Sequence, residues 1–237
     1  MKQDSPSVRL GNKAGVGVVI VSAGEGHRMG GLDKIKTLVS GRPLLAYGVD
    51  AFEECQYVQE IVIVLASGHL EWGQDLVYRE GWKKVSNVCS GGKTRRDSAR
   101  FGFETLSLCR WVMIHDGARP CVTVDLIDRG VDCVAITGAA VPAVPVKDTI
   151  KRVNLDGFVL DTPSRDSLWS VQTPQVFDYD ILRQAYLEDS TNATDDSTLA
   201  EGLGYKVKVF EGSYENVKIT TPEDLKLAES FLLSRCC

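Results

Sequence analysis

Between Gly15 and Thr37 the chain reads GVGVVIVSAGEGHRMGGLDKIKT, and this stretch limits the fold more than any other. Val16 to Val21 is a short apolar run rich in β-branched residues, the composition of a strand buried on both faces. A small-residue loop, Ser22 to Gly31, follows directly and carries Gly24, Gly26, Gly30 and Gly31, so its backbone can reach positive φ and approach a ligand closely. Arg28, Lys34 and Lys36 lie in or just after it. Free amides beside long cations favour a polyphosphate, because dipoles and full charges point at the same oxygens. Two commoner phosphate loops do not fit. Counting from Gly24, the third glycine of G-x-G-x-x-G falls on Met29, and no acidic residue closes IVIVLAS; no G-K-[ST] tripeptide occurs at all. A plain strand-to-helix turn without a ligand is the alternative for such a loop taken alone.

Downstream, strands and helices alternate, which predicts an α/β domain with a mostly parallel sheet. Pro43 to Glu54 has apolar residues at helical spacing, with proline placed for the first turn. Ile61 to Ala66 and Val85 to Cys89 are further strands. In SGGKTRRDSARFGFETL, Gly91 and Gly92 open a loop before a helix with Ala99, Phe103 and Leu106 on its apolar face, a second place for an anion or a nucleobase edge to meet free N–H groups. In WVMIHDGARP a strand over Val112 to Ile114 ends at His115, and Asp116 and Arg119 follow. Ligands of open parallel sheets bind at the carboxyl ends of strands, so Asp116 and Arg119 are expected in the same crevice as the first glycine loop. Asp116 suits hydroxyl groups or a hydrated Mg²⁺, Arg119 a phosphate; a local Asp–Arg ion pair is the plainer alternative.

The 237 residues, 43% of them apolar, suffice for one substantial core, and a single domain over 15–237 is expected after a mobile tail at 1–14. A net charge of −5 speaks against a general nucleic-acid or membrane surface. The seven cysteines show no C-x-x-C pair, as in a reducing cytoplasm, and His27, His69 and His115 lack metal-ligand spacing. Residues 1–15 hold no apolar run of signal-peptide length, and no stretch approaches the length of a membrane span.

Taken together and in order, SAGEGHRMGGLDK, SGGKTRRDSARFG, VMIHDGARP, VPVKDTIKR, LWSVQTPQVF, TDDS and EGSYENVKITTPEDLKLAE resemble the cytidylyltransferases that act on polyol phosphates, above all the branch acting on 2-C-methyl-D-erythritol 4-phosphate. The resemblance spans residues 15 to 235. It implies a Rossmann-like three-layer α/β/α fold and transfer of a cytidylyl group from CTP with release of pyrophosphate. It places Arg28, Lys34 and Lys218 at the triphosphate and its transition state, and Ala23, Gly24, Gly26, Gly92, Lys93 and Ser98 around CTP. Asp116, Arg119, Thr149, Arg165, Thr173 and Thr194 fall on the polyol phosphate. Mg²⁺, or another divalent cation, would be held mainly by the CTP phosphates, with Asp116 as a further candidate ligand. The segment around Asn154 to Gly157 reads by pattern as a β-hairpin; in the resembled family such an arm, here at about 147–170, clasps a second subunit in a homodimer.

Beyond the hairpin, Val207 to Phe210 reads as a strand. The last helix is announced by Thr221 as cap, Pro222 in the first turn, and an inner face of Leu225, Leu227, Ala228, Phe231 and Leu232. The chain also departs from the family pattern. Glu25 lies inside the phosphate loop, Asp33 stands where proline is usual, Lys93 replaces an acidic residue, and the interval from Met29 to Lys34 is one residue short. Lys36 therefore competes with Lys34, although alignment through GRPLL favours Lys34. Ribitol 5-phosphate as acceptor, and nucleotide binding without turnover, are the competing functions.

Overall fold

The computed structural model describes residues 15–24, 35–188 and 195–235. The tail at 1–14, most of the first glycine loop, residues 189–194 and the two terminal cysteines lie outside the described residues. In chain order the elements are β1 (Val16–Ser22), β2 (Leu38–Val39), β3 (Arg42–Pro43), α1 (Leu44–Glu54), β4 (Val58–Leu65), α2 (Leu70–Glu80), β5 (Val85–Ser90), α3 (Arg95–Thr105), β6 (Trp111–Asp116) and α4 (Val124–Thr137). There follow β7 (Ala139–Pro145), β8 (Arg152–Val153), β9 (Val159–Asp161), β10 (Trp169–Val171), β11 (Gln175–Asp178), α5 (Tyr179–Leu187), α6 (Asp196–Gly202), β12 (Lys208–Glu211) and α7 (Pro222–Ser234).

The valine-rich β1 is central because both its faces are apolar. It pairs in parallel with β4 on one side and β6 on the other. β5 extends the sheet beyond β4, again parallel. Beyond β6, β11 runs antiparallel, and β7 runs antiparallel to β11 and so has the direction of β6. β12 pairs in parallel with the far side of β7, while β10 continues the line of β11 along it. One strand line is reversed; the rest of the sheet is parallel.

Alternate residues of β1 feed two cores. Val16, Val18 and Ile20 pack with α1, α2 and α4 through residues such as Phe52, Leu76 and Leu126. Val19 packs on the opposite face with α3, α5 and α6 through Ala99, Phe103, Leu182 and Leu199. The result is the expected three layers, and each fully buried side chain of this size contributes about 1.5–3 kcal/mol. A third cluster joins α7 to α1 through Leu44, Ala228 and Leu232. The last helix starts at the expected cap, Thr221, which accepts from the Asp224 N–H, and Asp224 completes a capping box by accepting from the cap backbone.

Four expectations shift. Pro43 is the cap of α1 rather than a first-turn residue, since its ψ of 140° is not helical. β6 continues through Asp116, so His115 and Asp116 are strand residues with alternating faces. Leu227 is 45% exposed: α7 needs only Ala228 and Leu232 inside, with Leu225 and Phe231 at the margin. The arm leaves the sheet at the Val146 N–H to Leu168 C=O hydrogen bond, so residues 169 and 170 belong to β10 in the main sheet. Its tip is the expected turn, with Asn154 Oδ1 accepting from the Asp156 and Phe158 amides at 3.1 and 2.9 Å and Gly157 at φ 84°.

Candidate active site

β1, β4, β5, β6 and β7 share one direction, so the loops that follow them meet along a single edge. The Gly117 N–H donates to Val21 C=O at 2.9 Å, folding the chain after β6 over the end of β1. A Cβ on Gly117 would stand 1.8 Å from Ser22 Oγ, so this crossing needs glycine. A Cβ on Gly91 would likewise stand 2.3 Å from Ala23 Cβ, which brings the loop after β5 against the start of the first glycine loop.

Asp116 ends β6 at this edge and is 7% exposed. Arg95 Nε donates to its Oδ1 at 3.0 Å, Lys218 Nζ lies 2.7 Å from its Oδ2, and Arg119 Nε lies 4.0 Å from that same oxygen. Burial alone would push the Asp116 carboxyl up, but the charges of Arg95, Lys218 and Arg119 outweigh it and hold the group well below the usual carboxylate range. Arg95 also donates from Nη1 to Asp196 Oδ2 at 2.7 Å, and Tyr186 donates to Asp196 Oδ1 at 2.7 Å. Burial lowers the Arg95 guanidinium, but the two carboxylates raise it further, so it stays charged. Three cations face two carboxylates here, leaving one positive charge in excess among these groups.

Beneath this layer runs a neutral relay. The Asp116 N–H donates to Thr173 Oγ1 at 3.0 Å, which leaves the Thr173 hydroxyl to donate to His115 Nδ1 at 3.1 Å. His115 Nε2 is then the protonated nitrogen and donates to Arg119 C=O at 3.1 Å. Burial lowers the His115 pKa to about 4, in keeping with a neutral ring against Phe52. Asn216, fully buried, accepts on its C=O from Arg119 Nη1 at 2.7 Å and donates from its amide to Thr173 C=O at 2.8 Å. Strand β6, the Gln172–Pro174 crossing and the stretch leading to Lys218 are thereby locked together.

On the other side of Asp116, the Gly92 N–H donates to Ser98 Oγ at 3.1 Å, and Ser98 donates to Thr94 C=O at 2.9 Å. Ser98 is buried and shapes the Gly91–Gly92 turn from beneath, while Lys93 and Gly24 are exposed beside it. Thr94 caps α3 with Asp97 as its reciprocal partner, so the Gly92–Lys93 backbone sits directly before a helix start. No helix among the described residues is long and apolar enough to cross a membrane.

Residues 16–234 match the profile of the 2-C-methyl-D-erythritol 4-phosphate cytidylyltransferases. The chain belongs to this family. Proteins of that name from Dehalococcoides mccartyi and Alkaliphilus oremlandii are 46% and 45% identical to it, each alignment covering 92% of this chain and at least 95% of the relative. Among solved structures, a 4-diphosphocytidyl-2C-methyl-D-erythritol synthase from Anaerococcus prevotii superposes with a TM-score of 0.82 at 30% identity, covering 94% of this chain and 100% of the other. The 2-C-methyl-D-erythritol 4-phosphate cytidylyltransferase from Thermus thermophilus superposes with a TM-score of 0.75 at 34% identity, covering 93% and 99%.

Of the positions carried over from the family pattern, Ala23, Gly24, Gly92, Lys93, Ser98, Asp116, Arg119, Thr173 and Lys218 gather at this edge. Thr149 and Arg165 are on the exposed arm, where Arg165 Nη1 donates to Lys147 C=O at 2.8 Å. Gly26, Arg28, Lys34 and Thr194 lie outside the described residues. Lys36 Nζ stands 5.2 Å over the Trp72 ring, a cation–π contact. Sequence reasoning did not single out Arg95, Asp196, His115 as a buried neutral group, or Asn216. Arg95 lay inside a quoted motif, but nothing local separated it from Arg96. Among the described residues no group of three or more His, Cys, Asp or Glu is placed to hold a metal ion.

Proposed function

We infer that the chain transfers the cytidylyl group of CTP to 2-C-methyl-D-erythritol 4-phosphate. A phosphate oxygen of the acceptor attacks the α-phosphorus of CTP as the bond to the β-phosphate oxygen breaks, giving 4-diphosphocytidyl-2-C-methyl-D-erythritol and pyrophosphate. The observation that carries this reading is the convergence of Lys218, Arg119 and Arg95 on Asp116 at the carboxyl edge, in a chain of this family. Two polyanions repel each other, so the protein's work is positioning and charge neutralisation. We assign Arg28 and Lys34 to the triphosphate, Lys218 to the phosphates from the opposite side, and the Gly92–Ser98 loop to the cytosine. The contact of Lys36 with Trp72 favours Lys34 for the phosphate role.

Arg119, Thr149, Arg165 and Thr194 are assigned to the acceptor, and Asp116 to acceptor or ribose hydroxyls. Thr173, whose hydroxyl is engaged by Asp116 and His115, serves by holding Asp116 in place. Mg²⁺ would fit this donor set only as an ion brought by CTP: both Asp116 oxygens already face cations, so the phosphates would supply most of its ligands and its charge would offset part of theirs. Cys55, Cys89, Cys121 and Cys133 are thiols, which suits the cytoplasm.

The arm supports a homodimer. Leu155, Phe158, Val159 and Leu160 are exposed on it, and a second copy clasping the arm would cover them. Light scattering on the full chain and on one lacking residues 150–164 tests this: a dimer unchanged without the hairpin contradicts the clasp. For the reaction, the chain is incubated with CTP, Mg²⁺ and either 2-C-methyl-D-erythritol 4-phosphate or ribitol 5-phosphate. Pyrophosphate with the first alone is expected; release with ribitol 5-phosphate alone overturns the acceptor, and release with neither overturns turnover.

A further inference from the structure

Arg95 connects parts of the chain that are far apart in sequence. It is the first residue of α3, directly after the Gly92–Thr94 turn, and its two donating nitrogens reach different carboxylates: Nε to Asp116 Oδ1 at 3.0 Å and Nη1 to Asp196 Oδ2 at 2.7 Å. Asp196, 1% exposed, begins α6 two residues after Thr194. It is held in turn by the Tyr186 hydroxyl at 2.7 Å, and the Tyr186 ring packs 5.5 Å from that of Phe103 on α3. Tyr186 thus fixes Asp196, Asp196 aims the guanidinium, and the guanidinium fixes one oxygen of Asp116 while Lys218 meets the other.

We propose that Arg95 is a positioning residue for the transfer reaction, a strut that sets the Asp116 carboxylate and ties the turn bearing Gly92 and Lys93 to the start of α6. This rests on the function inferred above. Arginine's planar fork presents Nε and Nη1 as separated, pre-oriented donors, whereas lysine offers all its donors from one nitrogen on a flexible stem and does not fix the two carboxylates at this separation. A role confined to fold stability would lower the melting temperature and leave turnover per folded molecule unchanged.

Arg95→Gln and Arg95→Lys in the full chain separate these. Misplacing a group by about 1 Å can cost on the order of 100-fold in rate, and that is the expected fall in kcat for Arg95→Gln. KM for either substrate should change by less than about threefold, since the loss is in alignment rather than in binding. Arg95→Lys should restore little of it. Carbon-13 NMR titration of the Asp116 carboxyl should move upward by at least about one pH unit in both variants, as a neighbouring charge is lost or displaced. Asp196→Asn should shift both readouts the same way by less, and it carries the test if Arg95→Gln does not fold. An unchanged kcat in a folded, active variant, or an unmoved Asp116 titration, overturns the strut. If the native chain turns over neither acceptor, the proposed function falls and the titration alone decides on Arg95.

Discussion

The Asp116 centre and the β8–β9 arm place the residues proposed to act in opposite ways. In the centre, Asp116, Arg119, Thr173, His115, Asn216 and Asp196 are all buried, and each has hydrogen-bonding or ionic partners within the same chain. In the arm, the paired strands are two and three residues long, and apolar side chains face solvent. The centre therefore keeps its geometry by itself, because unsatisfied buried polar groups cost more than ordered ones. So short a hairpin has little to hold it in isolation, and its shape has meaning when another surface covers it.

The largest effect that could break this contrast is at Lys218. Lys218→Ala should lower kcat for pyrophosphate release by about 100- to 1,000-fold, the usual cost of one transition-state donor. Lys218 also neutralises the buried Asp116 carboxylate, so the melting temperature should fall as well, and kcat is therefore read per folded molecule. A kcat within threefold of the native value would remove Lys218 from the chemistry.

Next comes pH. The folded His115 pKa is about 4, below the ordinary value near 6.5, so between these values the unfolded chain takes up the proton first. Stability contributed by the neutral ring is complete above pH 6.5 and is lost as pH falls towards 4, about 3 kcal/mol at full extent. Urea unfolding across that window should show a shallower pH slope for His115→Gln than for the native chain; parallel slopes would mean that the ring is not held neutral.

Gly117→Ala should destabilise by about 1–3 kcal/mol in denaturant, since the alanine methyl would meet the side chains of Ser22 and Leu45 and force them to repack. The smallest effect is expected in the arm. Leu155→Ser and Phe158→Ser should leave intrinsic chain stability within about 0.5 kcal/mol. They should nevertheless weaken self-association in sedimentation; a loss of core stability instead would show that the arm packs on its own subunit.

Much of the frame was legible because it is written locally. The β-branched run of β1, the Thr221–Asp224 cap, the Asn154–Gly157 turn and the Gly91–Gly92 loop each depend on neighbours within a few residues, where periodicity and cap chemistry act. Asp116 could be placed at the edge for the same reason: it closes a buried strand. Its partners could not, because Arg95 lies 21 residues away and Asp196 lies 101 residues from Arg95. Arg95 and Arg96, like Asp195 and Asp196, are chemically alike in sequence. Packing makes one aspartate an exposed-side cap for Thr198 and turns the other inward. Leu227 was misplaced for a related reason: α7 offers more apolar residues than its small cluster with α1 accepts.

Composition and order along the chain thus settled the alternation of strands and helices, the glycine turns at the sheet edge and the family. Which cation meets which carboxylate, and which of two adjacent like residues goes inside, was settled only when distant segments packed. Helix and strand periods act over a few positions, whereas charge pairing in a buried site depends on three-dimensional distance.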